Sequence, residues 1–266
     1  MKSTLYIIKN QTNLHVGGGT VSHGIIDNYV QRDYEDFPCI HASSLKGAFL
    51  EYFTTCVKKE NNSTQKIFGT EQQRAQYVFH DALLLSFPVR SNKKAYFHAT
   101  CPYLISRLHE YCTLHNITLP FENLHSDTVC DKPVICSSSK VETENLSIEG
   151  YSDFDTKIIS NIGQYKELII FPDADFKMLI DDYNLPIIAR NNLDFGESKN
   201  VFYEQIVPRY TEFYFFTSNY TKEYSENNDG FSSLFEDTID EKNLQIGAHA
   251  SIGYGVCQIR KFTDEK

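Results

Sequence analysis

Three consecutive glycines, Gly17-Gly18-Gly19, open a stretch from His15 to Phe37 in which neither a helical nor a strand period is sustained. It follows an apolar, β-prone segment, Ser3–Lys9, which reads as the first core strand. A long aperiodic stretch in a compact domain is either functional or disordered. His15–Phe37 therefore reads as a long loop carried by a core that the rest of the chain must build.

The remaining periodicities describe that core. Leu45, Ala48, Phe49, Tyr52, Phe53 and Cys56 recur at helical spacing, with Ser43 or Ser44 as the expected N-cap. Gln76–Val89 carries strand signal, and Pro102–Leu114 reads as a helix with Pro102 in its first turn. Leu168–Phe171 reads as a buried strand, Asp173–Asp182 as a short helix, and Thr211–Thr217 and Gly255–Arg260 as strands. Ile187–Ala189 and Val201–Tyr203 are expected to be two strands joined by a polar turn, Asn191–Asn200. Residues 116–163 and 218–242 are polar and read as peripheral insertions, and no repeat of about 20–50 residues is visible. Recurring strand–helix–strand order points to an α+β domain with heavy loop insertions.

Composition limits the function classes. Hydrophobic residues make up 41% of the chain, which excludes a disordered polymer. No apolar run approaches the roughly 18 residues of a membrane span, and the N-terminus turns polar within a few residues, so a cytoplasmic protein without membrane contact is expected. The seven cysteines are odd in number and form no CxxC pair, which suits reduced thiols. His125, Cys130 and Cys136 match no common structural zinc spacing. A net charge of −10 argues against a freestanding RNA binder. Screening nonetheless confines distant carboxylates to a reach of about 8–10 Å. A local basic stripe can therefore bind RNA, with affinity that depends on assembly with other subunits.

Gly17-Gly18-Gly19 is followed by no Gly-Lys-Ser/Thr and lacks dinucleotide-fingerprint spacing, so on composition it is a flexible loop sooner than a phosphate cradle. Asp27 is a lone carboxylate framed by Ile25 and Ile26. Gln31 and Arg32 follow, and then a Ser43-Ser44-Leu45-Lys46-Gly47 helix start. Backbone N–H groups, one carboxylate and two cations suit a nucleic-acid phosphate. A single carboxylate is too few for a two-metal site. His15 is either a general acid or base near neutral pH, or a histidine that binds RNA or caps the loop. Glu204 is a second acidic candidate that needs the fold to bring it near Asp27. Asp33, Glu35 and Asp36 read as a solvated turn, and Asp81 as a structural hydrogen-bond acceptor. Lys46, expected in the first helical turn, opposes the helix dipole unless an anion such as phosphate sits there; the alternative is a solvated lysine. Gly253-Tyr254-Gly255 either brings backbone close to RNA or makes a tight turn.

Several motifs resemble one family in order. They are HVGGGT at His15–Thr20, GIIDNYVQRD at Gly24–Asp33, FPCIHASSLKGAF at Phe37–Phe49, FHDALLLSFPVRS at Phe79–Ser91, TCPYLISRL at Thr100–Leu108, NVFYEQIVPRYTEFY at Asn200–Tyr214 and IGAHASIGYGVCQIR at Ile246–Arg260. The chain thus resembles the backbone subunit of type III-B CRISPR effectors, the Cmr complexes, whose members are RAMP proteins. The resemblance implies a single RAMP domain over residues 1–266 with a modified ferredoxin-like (RRM-like) fold. It also implies a thumb hairpin at about 186–205 that reaches over guide RNA. It places the slicing aspartate at Asp27, with Mg²⁺ or Mn²⁺ present. Guide-RNA contacts would fall at Gly17, Gly18, Gly19, Gln31, Arg32, Ser43, Ser44, Lys46, Gly253 and Tyr254. Partners would be guide CRISPR RNA, single-stranded target RNA, further copies of the chain in a filament, and other Cmr subunits. A type III-A backbone, a non-catalytic scaffold and a standalone metal-free RAMP endonuclease are the alternative readings.

Overall fold

The computed structural model describes residues 2–20, 25–57, 61–120, 133–135, 141–142, 147–150, 167–195, 197–220 and 234–263. The His125, Cys130 and Cys136 set, and much of the 116–163 and 218–242 segments, lie outside them.

The main sheet is built on β1 (Lys2–Asn10), which pairs antiparallel with β14 (Glu212–Asn219) on one side and β16 (Val256–Lys261) on the other. It extends through β15 (Lys242–Gln245) beyond β16. On the β14 side follow β6 (Ala82–Val89), β7 (Phe97–Thr100) and β11 (Leu168–Ile170), with β4 (Cys39–Ile40) and β5 (Tyr77–Phe79) pairing β6 and β14. The short strands β8 (Val134–Ile135), β9 (Val141–Glu142) and β10 (Ser147–Gly150) continue beyond β11.

Both faces of the centre are buried, which explains why these strands read as unbroken apolar runs rather than alternations. Tyr6, Ile8, Phe213, Phe215 and Ile259 point into one core. Their neighbours Leu5, Ile7, Tyr214 and Phe216 point into a second, as a side-chain period of two requires. Helix α1 (Ala42–Tyr52) covers the first core with Leu45 and Phe49. Phe49, Phe53, Phe68, Phe79 and Phe235 form an aromatic cluster there, with Phe68 at the end of α2 (Asn61–Phe68) and Phe235 in α5 (Leu234–Ile239). Helix α3 (Pro102–Leu114) covers the second core with Leu108 and Cys112. A shorter helix, α4 (Asp173–Leu179), follows β11.

A second sheet, ordered β12-β13-β3-β2, sits on this body. Strands β12 (Ile187–Asp194) and β13 (Glu197–Gln205) form a long antiparallel hairpin, β3 is Asn28–Val30 and β2 is Gly17–Thr20. Two expectations change here. His15–Phe37 is not loop throughout, because β2 and β3 pair with each other and β3 joins β13 in parallel. Asn191–Asn200 is not a turn but mostly paired strand.

Candidate nucleic-acid interface and active site

Asp27 lies at the foot of the hairpin, where β3 begins. Its backbone N–H donates to the Tyr203 carbonyl at 3.0 Å, and its carboxylate Oδ2 accepts the Tyr203 N–H at 2.7 Å. The next pair in register is Asn28 with Glu204. Ile26 is buried and anchors this point, whereas Ile25 and Asp27 are exposed. One carboxylate oxygen is thus held by the strand edge, on a residue that remains exposed.

His15 and Glu204 meet each other rather than the Asp27 carboxylate. Glu204 is 2% exposed and binds Arg190 from β12, His249 Nε2 at 2.8 Å and His15 Nε2 at 3.3 Å. Burial pushes its carboxyl pKa up, but the hydrogen bonds from His249 and Arg190 and the nearby His15 outweigh this and hold it below the ordinary value. His15 Nδ1 also faces the Gln205 carbonyl at 2.7 Å, so both ring nitrogens are engaged by protein oxygens. This buried cluster ties the hairpin, the His15 segment and the C-terminal motif together.

The glycines of that C-terminal motif have a steric reason. A Cβ on Gly247 would sit 2.3 Å from the His15 carbonyl oxygen, and one on Gly255 would sit 2.0 Å from the Ile246 oxygen; both have positive φ. The close approach lets the Ala248 N–H reach the His15 carbonyl and the Gly255 N–H reach the Asn13 carbonyl. Gly253 also has positive φ but meets nothing, at the end of a short 3₁₀ turn. Tyr254 lies under the Arg190 guanidinium, 4.9 Å from ring centroid to Cζ.

Several expected RNA ligands are committed to the protein. The Gln31 amide donates to the Gly17 carbonyl and Ser44 Oγ and accepts the His41 N–H, so it braces β2 against α1. Arg32 donates to the carbonyls of Asp36 and Ile180 and pairs with Asp182 at 2.9 Å, with its side chain only 11% exposed. Both side chains are thus engaged by protein groups. Asp33 is not solvated either: it accepts the Phe37 N–H and pairs with buried Arg107 at 2.7 Å. Helix α1 starts one residue earlier than Ser43, with His41 as N-cap; Asp81 from the β5–β6 turn supplies the missing acceptor, taking the Ala42 N–H at 2.6 Å. Lys46 therefore lies in the second turn, where the dipole argument is weak, and it has no ion-pair partner among the described residues.

A groove of about 820 Å³ runs between Gly17, one face of α1 and the Gly247 turn. Ser44, Gly47 and Glu51 of α1, continued by Thr55 in the π-helical turn that follows it, make one wall. Its only charged lining residue among those described is Glu51, so the groove offers polar contacts and backbone rather than cationic attraction. Gly17, Gly18, Gly19 and Ser43 are exposed beside it.

No group of three or more His, Cys, Asp or Glu among the described residues is placed to hold a metal. Among the described residues the donor set at Asp27 is one carboxylate with one oxygen already bonded, which does not fit a resident metal centre. Arg190, His249 and Tyr203 were not singled out from sequence. Of the three, His249 and Tyr203 carried a signal there, by their places inside the Ile246–Arg260 and Asn200–Tyr214 motifs.

No helix of the described residues is long and apolar enough to cross a membrane. The protein is 28% identical, over 97% of its length and 95% of the relative's, to the CRISPR system Cmr endoribonuclease Cmr4 of Pyrococcus furiosus. A second stretch of similarity, 34% identical over 32% of this chain and 29% of the relative, is to the CRISPR system CMR subunit Cmr4 of Saccharolobus solfataricus. Its fold matches oligomeric Cmr4 from Pyrococcus furiosus with a TM-score of 0.77 at 22% identity, covering all of both chains. It also matches a chain of the type III-B Cmr-beta complex bound to cognate target RNA with a TM-score of 0.81 at 21% identity, covering 99% and 98%. The family model of the RAMP superfamily matches residues 7–258, and the chain belongs to that superfamily.

Proposed function

We propose that this chain is the guide-RNA-binding backbone and slicer subunit of a type III-B CRISPR effector, which cleaves complementary target RNA at regular intervals. Near end-to-end similarity to a relative named a Cmr endoribonuclease supports the activity, and the oligomeric state of a fold relative supports stacking with further copies. The chain acts as one RAMP domain of modified ferredoxin-like plan, with β12–β13 as the thumb over the guide RNA and the 116–163 and 218–242 segments as peripheral insertions. The observation that carries the reading is the exposed Asp27 carboxylate, fixed by Tyr203 at the foot of that hairpin.

In this reading the hairpin bends the guide–target duplex and sets one target nucleotide beside Asp27. The second carboxylate oxygen accepts a hydrogen bond from the ribose 2′-OH and orients it in line with the adjacent phosphorus. The 2′ oxygen attacks as its proton passes through the Asp27 carboxylate to solvent, the P–O5′ bond breaks, water protonates the departing O5′, and the products are a 2′,3′-cyclic phosphate and a 5′-OH. Most of the acceleration comes from enforcing in-line geometry. Mg²⁺ or Mn²⁺, held by RNA phosphates rather than by a site on this chain, would neutralise charge on the reacting phosphate. His15 and Glu204 act by holding the hairpin foot rather than as a general acid or base, because their polar atoms are engaged with each other and with their neighbours. Guide contacts come from the Gly17–Gly19 backbone, Ser43 and Lys46, together with Gly253 and Tyr254. Such contacts to the backbone carry no sequence preference.

The test is to assemble the complex with a guide and a complementary RNA, in Mg²⁺, Mn²⁺ or EDTA, and to map both product ends. Evenly spaced products ending in cyclic phosphate support the reading. An intact complex that leaves the RNA whole would make the chain a scaffold.

A further inference from the structure

We propose that the cleft at the root of the β12–β13 hairpin is a binding site for a single nucleotide, with the base against the Tyr96–Tyr210 pair and the phosphate on Arg209. The site is separate from the Asp27 clasp, and it stands whether or not the slicer reading above holds.

A cavity of about 280 Å³ opens where the two hairpin strands leave the main sheet. Pro186 immediately precedes β12, Pro208 lies shortly after β13, and Tyr96 immediately precedes β7. The cavity shares no lining residue with the groove between Gly17, α1 and the Gly247 turn. Leu179, Pro186 and Pro208 give it an apolar floor. Its volume is at the small end for ligand pockets and suits one nucleotide rather than a longer segment.

One wall is aromatic. The Tyr96 and Tyr210 rings stack with centroids 5.1 Å apart and planes 20° from parallel. Tyr210 holds a left-handed φ of +73°, which strains a non-glycine residue, and its N–H is donated to the Asn10 carbonyl at 2.6 Å. Strain of this kind persists where the surrounding structure enforces it, and it gathers at ligand clamps. Here it sets a ring into the wall of a cleft. Nucleobases stack on such walls whatever their identity, because every base has a π face.

Two cations face Tyr210, and they are not equivalent. Lys9 Nζ lies 5.8 Å from the ring centroid and is paired with Glu212 at 3.4 Å. Arg209 lines the cleft, is exposed, and has its Cζ 5.0 Å from the same centroid. It pairs with no carboxylate among the described residues. On a chain of net charge −10, an uncompensated guanidinium beside an aromatic wall is a local acceptor for an anion. Its planar fork matches phosphate. Asn184, also in the lining, donates its amide N–H to the Met178 carbonyl, which leaves its Oδ1 to accept from a base amine. An aliphatic acid would leave the aromatic wall unused, and a neutral aromatic would leave Arg209 unused. A nucleotide engages both, either free or as one residue of an RNA strand.

The experiment titrates the full chain with AMP, adenosine and ribose 5-phosphate, and marks the site by photolabelling with 8-azido-AMP. Saturable AMP binding is expected, with label on the peptides that carry Tyr96 or Tyr210. Adenosine should bind about tenfold more weakly than AMP, and ribose 5-phosphate more weakly still. Arg209→Gln should bring AMP down to the level of adenosine and leave adenosine unchanged. Tyr96→Leu should weaken both, with thermal melts confirming the fold of each variant. Repeating the labelling on chain loaded with guide and target RNA separates the two sources. Displacement of the label by RNA makes the occupant one residue of a strand, and persistence of the label makes it a free nucleotide. AMP that labels neither peptide up to about 1 mM overturns the proposal. So does an Arg209→Gln variant that binds AMP and adenosine as the wild type does, or loses both alike. Target cleavage is scored in a separate reaction, so failure of the slicer reading leaves this result intact.

Discussion

Asp27 and Tyr203 clasp each other twice, with the Asp27 N–H donating to the Tyr203 carbonyl and the Tyr203 N–H donating to the Asp27 carboxylate. Residues 176 positions apart are thereby fixed in one orientation, and the position of the Asp27 side chain is set by β13 rather than by its own loop. β13 is in turn fixed by Glu204. The Asp27 carboxylate is therefore aimed by a buried cluster that it does not itself touch.

Replacing Glu204 by Gln removes the anion shared by Arg190, His249 and His15. A buried cation left unpaired costs about 3–5 kcal/mol, and chemical denaturation should register a loss of that order. The wild-type carboxyl has a lowered pKa. Its stabilisation is therefore fully present above the ordinary carboxylate range and fades as pH falls through the folded-state value. The Gln variant should lack that acid-side loss.

Gly247→Ala and Gly253→Ala separate steric need from backbone need. Both glycines have positive φ, but only at Gly247 would a Cβ meet backbone, 2.3 Å from the His15 oxygen. Gly253→Ala should cost about 1 kcal/mol from the left-handed conformation alone. Gly247→Ala should cost several times that, with the His15–Ala248 hydrogen bond lost, as thermal or urea melts would show.

His98 supplies a second pH effect. Burial, with help from Lys9 and Lys94, pushes its pKa down to about 3 from an ordinary 6.5. The ring stays neutral in the fold while the unfolded chain takes up a proton below pH 6.5. Stability should therefore fall by about 1.4 kcal/mol per pH unit between roughly pH 6 and 3. His98→Gln should flatten that slope in urea titrations across this range.

Arg32 and Lys46 read alike in the sequence as phosphate ligands, yet the fold separates them. Arg32→Ala should lower stability by about 2 kcal/mol, since its hydrogen bonds join the Asp33–Phe37 turn to Ile180 and Asp182. Lys46→Ala should leave stability within about 0.5 kcal/mol. It should instead weaken guide binding and reduce the salt slope of log K by about 0.7. Filter binding at several salt concentrations distinguishes the two.

What the sequence disclosed was what local physics controls. Pro102–Leu114 is the observed helix because Pro102 starts it and its apolar spacing is periodic. The central strands were legible as apolar runs because both faces are buried. The hairpin was read too short because Asn191, Phe195 and residues 197–200 are exposed, and an exposed two-stranded element leaves no hydrophobic period. β2 was hidden because a glycine-rich strand is held by backbone pairing alone, and β3 because three residues are too few to show a period. Asp27 stood out as the isolated carboxylate of an unusual loop. Its clasp, the Asp81 cap on α1 and the partners of Arg32 and Glu204 all come from distant segments that no local pattern announces.

The account's central claim is that a single clasped carboxylate makes each copy a cutter. The direct measurement is the single-turnover cleavage rate of a guide-complementary RNA by the assembled complex, wild type against Asp27→Asn, with assembly checked by native mass spectrometry. Asn keeps the size and an amide oxygen able to accept the Tyr203 N–H, but loses the charge. The rate at every position of the product ladder should fall by about 100-fold or more while copy number and guide binding hold. An unchanged ladder from a fully assembled Asp27→Asn complex would contradict the claim.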